Sequence, residues 1–241
     1  MHFVKSVAPV LALAAFAATS LADVAIVSRL SELHQGQGSP FPLPPSFSDN
    51  VSTTELGPVT LTTEHGASFT SSVTSQSITA QLHGGSSFGG SINPVSAGTN
   101  TSLDVVFQVT GSAAQISILI ISGSSSAVSV DPVSSPRGNT QLRLLDNATN
   151  QVLFNSDSNM SIHTGIPWYG DWNNALWTAT LEPGTYHITG FADGSHTYSA
   201  GGGSGSSGSG SMNVLITLTP TPGATAAIAL LAPMAVRRRR A

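Results

Sequence analysis

Cysteine is absent from this chain, and with it go disulfide bonds, thiolate metal sites and thiol nucleophiles. Whatever holds the fold together is core burial, hydrogen bonding or an oxygen-bound metal. Positive charge is almost as scarce. The one lysine is Lys5, and four arginines form the terminal run Arg237 to Arg240. All 12 acidic residues lie between Asp23 and Asp193, where the only basic residues are Arg29, Arg137 and Arg143, a formal charge of −9 with histidine neutral. A nucleic-acid partner requires a basic footprint to neutralise phosphates, so that class is excluded. Aromatics are sparse, while Ser, Thr and Gly abound. Such a composition works against helices, because hydroxyl side chains compete for backbone hydrogen bonds and glycine loses the most entropy on ordering.

What the chain does have is strand periodicity. Leu103, Val105, Phe107 and Val109 alternate with Asp104, Val106 and Gln108. Ile116, Ile118 and Ile120 continue at the same period, and Leu119 and Ile121 make that run apolar on both faces, as in a fully covered strand. Leu142 and Leu144, then Tyr186, Ile188 and Gly190, then Met212, Val214, Ile216 and Leu218 repeat the alternation. Weaker alternation marks 59–63, 68–74 and 77–82 as further strands. Asp146 to Asn150 separates two strands as a hairpin, since Asp and Asn tolerate left-handed geometry. Glu182-Pro183-Gly184-Thr185 matches a type II turn between 175–181 and 185–192. Gln35 to Pro45 predicts an extended loop, and Ser199 to Ser211 a flexible connection. The expected fold is all-β, an antiparallel β-sandwich or jelly roll. Its core spans 101–219, and an irregular β region at 23–100 joins the same sandwich.

Both ends carry processing signals. Lys5, the apolar run Val7–Ala18 and Ser20-Leu21-Ala22 compose a signal peptide over residues 1–22, cleaved before Asp23. At the other end Ala224–Val236 is 13 residues of apolar sequence, interrupted by Pro233. As a helix it would reach about 20 Å, short of the ~30 Å hydrocarbon core. The arginines after it would stay on the cytoplasmic side. Pro220, Pro222 and Gly223, the short hydrophobic helix and Arg237, Arg238, Arg239 and Arg240 together resemble the PEP-CTERM sorting signal of Gram-negative bacteria, with Pro220-Thr221-Pro222-Gly223 in place of Pro-Glu-Pro. That resemblance covers 220–241. It implies an exosortase-type membrane protease as partner, transient inner-membrane insertion, export to the cell surface or extracellular matrix, and an association with exopolysaccharide. A second resemblance rests on the hairpin from Leu142 to Phe154 and on Leu181-Glu182-Pro183-Gly184-Thr185-Tyr186. These are similar to bacterial pre-peptidase C-terminal domains and related sandwiches, which implies a jelly roll and no single activity.

No catalytic constellation stands out, and no cofactor or metal site is expected. Gly203 to Gly208 spells G-x-G-x-x-G inside a Gly/Ser run without the strand-then-helix context of a dinucleotide site. The histidines of the body, His34, His65, His83, His163, His187 and His196, are not paired at ligand spacing, and a triad dispersed through the sequence stays open. Asp146, Asp157 and Asn159 are a weak calcium candidate, and the four Asn-x-Ser/Thr sites carry no argument. The three tryptophans cluster between Trp168 and Trp177. Trp168, Tyr169, Asp171, Trp172 and Asn173 on a loop would suit a sugar, with rings against C–H faces and polar groups on hydroxyls. Alternatively, Trp177 and a second ring fill the core. The expected function is a non-enzymatic exported protein of structural or adhesive type, with a carbohydrate-binding module at 168–177 as the alternative.

Overall fold

The structure is a computed structural model that describes residues 22–38, 46–88, 96–129, 136–161, 168–197 and 206–221. Every regular element among them is a strand: β1 (Asp23–Gly38), β2 (Phe47–Thr53), β3 (Gly57–Thr62), β4 (Ser68–Val73), β5 (Ser77–Phe88), β6 (Ser96–Thr110), β7 (Ala114–Ser129), β8 (Arg137–Asp146), β9 (Gln151–Ser161), β10 (Trp168–Leu181), β11 (Gly184–Thr197) and β12 (Ser206–Pro220). They make two antiparallel sheets of six, the first in the order β2-β1-β6-β11-β8-β9 and the second β10-β7-β12-β5-β4-β3. From β5 onward the chain crosses from sheet to sheet at every step but the β8–β9 hairpin, giving the quartets β6-β11-β8-β9 and β10-β7-β12-β5. This is jelly-roll order, and β1 to β4 widen both sheets on one side.

The alternating residues do what their period requires. Leu103, Val105, Phe107 and Val109 of β6, Leu142 and Leu144 of β8, Ile188 of β11 and Val214, Ile216 and Leu218 of β12 all point inward and are buried. Phe107 stacks on Tyr186 at 5.5 Å between ring centroids, and the Tyr186 hydroxyl donates to the Glu182 carbonyl at 2.7 Å. The Asp146–Asn150 hairpin forms as expected: Asp146 Oδ1 accepts from the Ala148 amide at 2.8 Å, and Asn150 takes a left-handed φ of 56°. Leu119 and Ile121 are not doubly covered. Among the described residues no third layer overlies the second sheet: Ile121 is 40% exposed, and Leu176 beside Leu119 is 64% exposed. The type II turn is absent as well. Gly184 is not among the positive-φ glycines, which are Gly57, Gly66 and Gly111. Residues 182–183 carry the chain from the second sheet to the first rather than reversing it within one, and Gly184 already belongs to β11.

Two segments expected to be irregular are strands. Gln35 to Gly38 completes β1, and only 39–45 of that expected loop lies outside the described residues. Strand β1 shows no regular period in the sequence, because a bulge between Ile26 and Ser28 flips its alternation. Val24 and Leu33 both face inward, yet Val27 is 60% exposed and Arg29 only 3%. Arg29 bridges the sheets. Its guanidinium donates to the Glu55 carbonyl, to the Gly57 carbonyl at 2.9 Å and to Ser71 Oγ at 2.6 Å, while Nε donates to Ser31 Oγ at 3.1 Å. Burial lowers its pKa from the ordinary guanidinium value, with the charge of Glu55 opposing.

The second segment is Ser206 to Ser211, which opens β12 and pairs with both β5 and β7. Its glycines are not random. Gly208 and Gly210 continue the inward column of Met212, Val214, Ile216 and Leu218, while Ser209 and Ser211 face outward and hydrogen-bond Ser126 and Ser124 of β7 at 2.7 and 2.8 Å. Facing them across the interior are Gly138 of β8 and Gly194 of β11. A Cβ on Gly138 would collide with the carbonyls of Ser209 and Ser126, one on Gly208 with the carbonyl of Arg137, and one on Gly84 would lie 2.5 Å from Asp193 backbone. Packed sheets ordinarily stand about 10 Å apart on their side chains. Here they close to backbone contact.

The sandwich therefore tapers from a Leu/Ile/Val/Phe half to a glycine half. The glycine half is also where the long connections leave. Gly38 pairs with Ser96, Ser206 with Phe88 and Ser129, Arg137 with Ser161 and Ser195, and Trp168 with Ala127, so 39–45, 89–95, 130–135, 162–167 and 198–205 all depart from one end. Residues 74–76, 111–113, 147–150 and 182–183 close the other end.

Because its collisions are with backbone, Gly138→Ala is expected to destabilise the protein by about 1–3 kcal/mol or more. At Gly36 an added Cβ meets His34 Nε2 at 3.4 Å and the Phe47 carbonyl at 3.6 Å, so Gly36→Ala should stay within about 0.5 kcal/mol of the parent. Urea unfolding of both variants checks the contrast, and equal midpoints would contradict the close packing.

Candidate binding groove

Antiparallel register carries a row of positions straight across the first sheet. Asn50 of β2 pairs with His34 of β1, His34 with Asn100 of β6, Asn100 with Asp193 of β11, Asp193 with Asn139 of β8, and Asn139 with Asn159 of β9. His34, Asn100 and Asp193 lie on the outer face, because their neighbours Leu33, Thr101 and Ala192 are buried in the core. The next outward row toward the long connections holds Gly36, Gly98 and Ser195, and glycine there removes the wall that side chains would build. The result is an open trough of about 460 Å³, lined by His34, Asn100 and Asp193 on one side, by Gly36 and Gly98 below and by Phe47 at the edge.

The edge is fixed from the opposite sheet. His65, in the turn between β3 and β4, stacks on Phe47 at 3.7 Å and 12°, and its Nδ1 lies 2.7 Å from Asp49 Oδ2. That hydrogen bond is the main cause holding the Asp49 carboxyl below its ordinary pKa. Inside the trough the polar groups are open. Among the described residues no hydrogen bond occupies the side chains of His34, Asn100 or Asp193, and Asn139 Oδ1 beside them is buried without a partner. Burial raises the Asp193 carboxyl pKa, and the charge of Arg137 offsets part of that.

The residues singled out from sequence fall elsewhere. Trp168, Tyr169, Asp171, Trp172 and Asn173 are not on a loop. They begin β10, an edge strand of the second sheet, in register with Ala127 to Ser122 of β7. Their turn-like composition was misleading because β7 supplies the partner hydrogen bonds. Trp177, farther along β10, packs on Phe154 at 5.3 Å against the core. The calcium candidates are not brought together: Asp146 sits at the hairpin and pairs with Gln151, while Asp157 accepts from Gln141 at 3.1 Å farther along β9. Among the described residues no cluster of three His, Asp or Glu could hold a metal. His187 meets Asp104 at 2.8 Å on the outer face, nearer the short-turn end. Gly85-Ser86-Ser87-Phe88-Gly89 spells G-x-S-x-G, but Gly85 to Phe88 lie within β5 rather than at a strand-to-helix turn. Pro220 is the last residue of β12, and Pro222, Gly223 and Arg237 to Arg240 lie outside the described residues, as does the signal peptide up to Leu21.

No family model matches the chain, and no curated protein matches it. Among solved structures, the chain is similar to one of the infectious bursal disease virus Gx strain, at 9% identity and a TM-score of 0.18, covering 91% of this chain and 75% of that one. It is also similar to a carbohydrate-binding module of the β-sandwich superfamily, at 9% identity and a TM-score of 0.17, covering 85% of this chain and 99% of that one. At these scores the likeness carries no argument about what this chain does.

The open carboxyl yields a signed pH dependence. A raised folded-state pKa means that ionised Asp193 costs stability above that pKa, and that the cost disappears below the unfolded value of about 3.9. Asp193→Asn should therefore raise Tm at pH 7, with the gain shrinking as pH falls and gone below about pH 4. Thermal melts across that range check it, and a variant that is less stable at pH 7 would contradict the assigned environment.

Proposed function

We infer that this is an exported, non-enzymatic protein of the cell surface or extracellular matrix, structural or adhesive in type and processed at its C-terminal sorting segment. The observation that carries the reading is where the two signal-bearing ends leave the fold. Asp23 pairs with Thr110, and two hydrogen bonds, from Ser112 Oγ to the Thr221 carbonyl at 3.3 Å and from Thr221 Oγ1 to the Ala113 carbonyl, tie the C-terminal exit to the same turn. An N-terminal leader and a C-terminal membrane segment would thus both extend from the short-turn end. Before processing, a membrane at that end would lie opposite the end from which the long connections leave, so both processing sites would be presented together on the membrane side. The lysine-free body, at −9, supports the reading of an acidic exported protein kept soluble by its own charge.

The resemblance of 220–241 to an exosortase substrate supplies the test. Mass spectrometry of the protein from cells with and without an exosortase-type protease should find Asp23 at the amino terminus in both. The Arg237–Arg240 run should be missing only when the protease is present. An identical carboxyl terminus in the two strains would overturn the sorting assignment.

A further inference from the structure

We propose that the trough on the first sheet binds an uncharged polysaccharide, laid across β1, β6 and β11 along the row His34–Asn100–Asp193. This deepens the adhesive reading, on which it rests, by naming what the surface would hold. Four features of the site select the ligand. First, among the described residues it is an open trough rather than a closed cavity, so the occupant can be one segment of a longer polymer. Second, its polar groups are mixed. An amide both donates and accepts, an imidazole can do either, a carboxylate accepts, and Ser48 and Ser195 add hydroxyls. Sugar hydroxyls are themselves both donor and acceptor, and satisfy such a set without a net charge. Third, the bare backbone at Gly36 and Gly98 lets a ring lie close to the sheet. A Cβ at Gly98 would meet the Gly194 carbonyl and the Ser195 Cβ of the neighbouring strand β11, both at 3.1 Å, so glycine is what keeps this part of the floor low.

Charge supplies the fourth and rules out the other ligand classes. An anionic polymer would meet the Asp193 carboxylate on a body of net −9 that has no lysine. A bound cation would find a single carboxylate, with no cluster of three ligating side chains among the described residues. An apolar ligand would leave His34, Asn100 and Asp193 desolvated and unpaired, which is costly. The tryptophan segment lies in the other sheet, so this site and the one expected from the aromatic cluster are separable by mutation.

The experiment is affinity electrophoresis of the full chain in mild detergent, through gels containing dextran, laminarin, xyloglucan, hydroxyethylcellulose or, as the anionic control, dextran sulfate. Retardation is expected in at least one neutral polymer and not in dextran sulfate. Asn100→Ala and His34→Ala should each weaken retention about tenfold, equivalent to about 1.4 kcal/mol. Gly36→Leu, which fills the trough from the outer face, should do the same, while Trp168→Ala with Trp172→Ala leaves retention unchanged. Circular dichroism of each variant separates lost binding from lost fold. The proposal is overturned if no neutral polymer retards the parent chain, if folded Asn100→Ala and Gly36→Leu migrate like the parent, or if the tryptophan pair alone abolishes retention. Export plays no part in this assay, so its result stands apart from the fate of the sorting segment.

Discussion

Glycine at the interface between the sheets is the constraint on which the rest of the structure depends. Over the half of the sandwich nearer the short turns, Phe107, Ile118, Leu144 and Ile216 hold the sheets apart in the usual way. Over the other half, Gly84, Gly138, Gly194, Gly208 and Gly210 bring opposing backbones into contact, with no room for a β-carbon. Such an interface buries little apolar side-chain area per residue. What it gains comes from close dispersion contact and from ladder hydrogen bonds shielded from water. The serines that alternate with those glycines then face out and pair with each other across β7 and β12.

That taper also shapes the outer surface. Within the first sheet, β1, β6 and β11 continue into the glycine half with Gly36, Gly98 and Ser195 on the outer face, beside one row of imidazole, amide and carboxyl groups. The trough is the space those missing side chains leave. Its edge is held by the Phe47–His65 stack and the His65–Asp49 hydrogen bond, which clamp β2 to the turn of the opposite sheet. Arg29 does the comparable work deeper in, where its donors satisfy carbonyls of the crossing between β2 and β3. A chain with no cysteine thus ties its widened flank together with a guanidinium and an imidazole.

Where side chains are large and alternate, the architecture was legible in the sequence: β6, β8, β11 and the second half of β12 read directly as half-buried strands. Legibility failed for two physical reasons. In β1 the bulge at Val27 breaks the period, so Arg29 and Ser31 take inward positions that a fixed alternation assigns to solvent. In Ser206 to Ser211 the period is intact, but glycine and serine carry no hydropathy contrast, and composition alone suggested a linker. The trough was invisible for a related reason. His34, Asn100 and Asp193 are far apart in sequence and unremarkable singly, and only register aligns them. The aromatic cluster drew attention because rare residues stand out, yet its turn-like Asn and Gly residues sit in a paired edge strand.

The claim that most needs a direct reading is that the Gly/Ser segment is folded sheet packed against the other layer. Hydrogen–deuterium exchange resolved to single amides between Ser206 and Leu218 gives it. Amides of Ser206 to Ser211 that are protected to a degree comparable with Met212 to Leu218 would bear out the glycine-closed sandwich. Exchange in that stretch at the rate of an unstructured Gly/Ser chain, beside a protected Met212 to Leu218, would contradict it and remove the layer that packs behind Asp193 and Ser195.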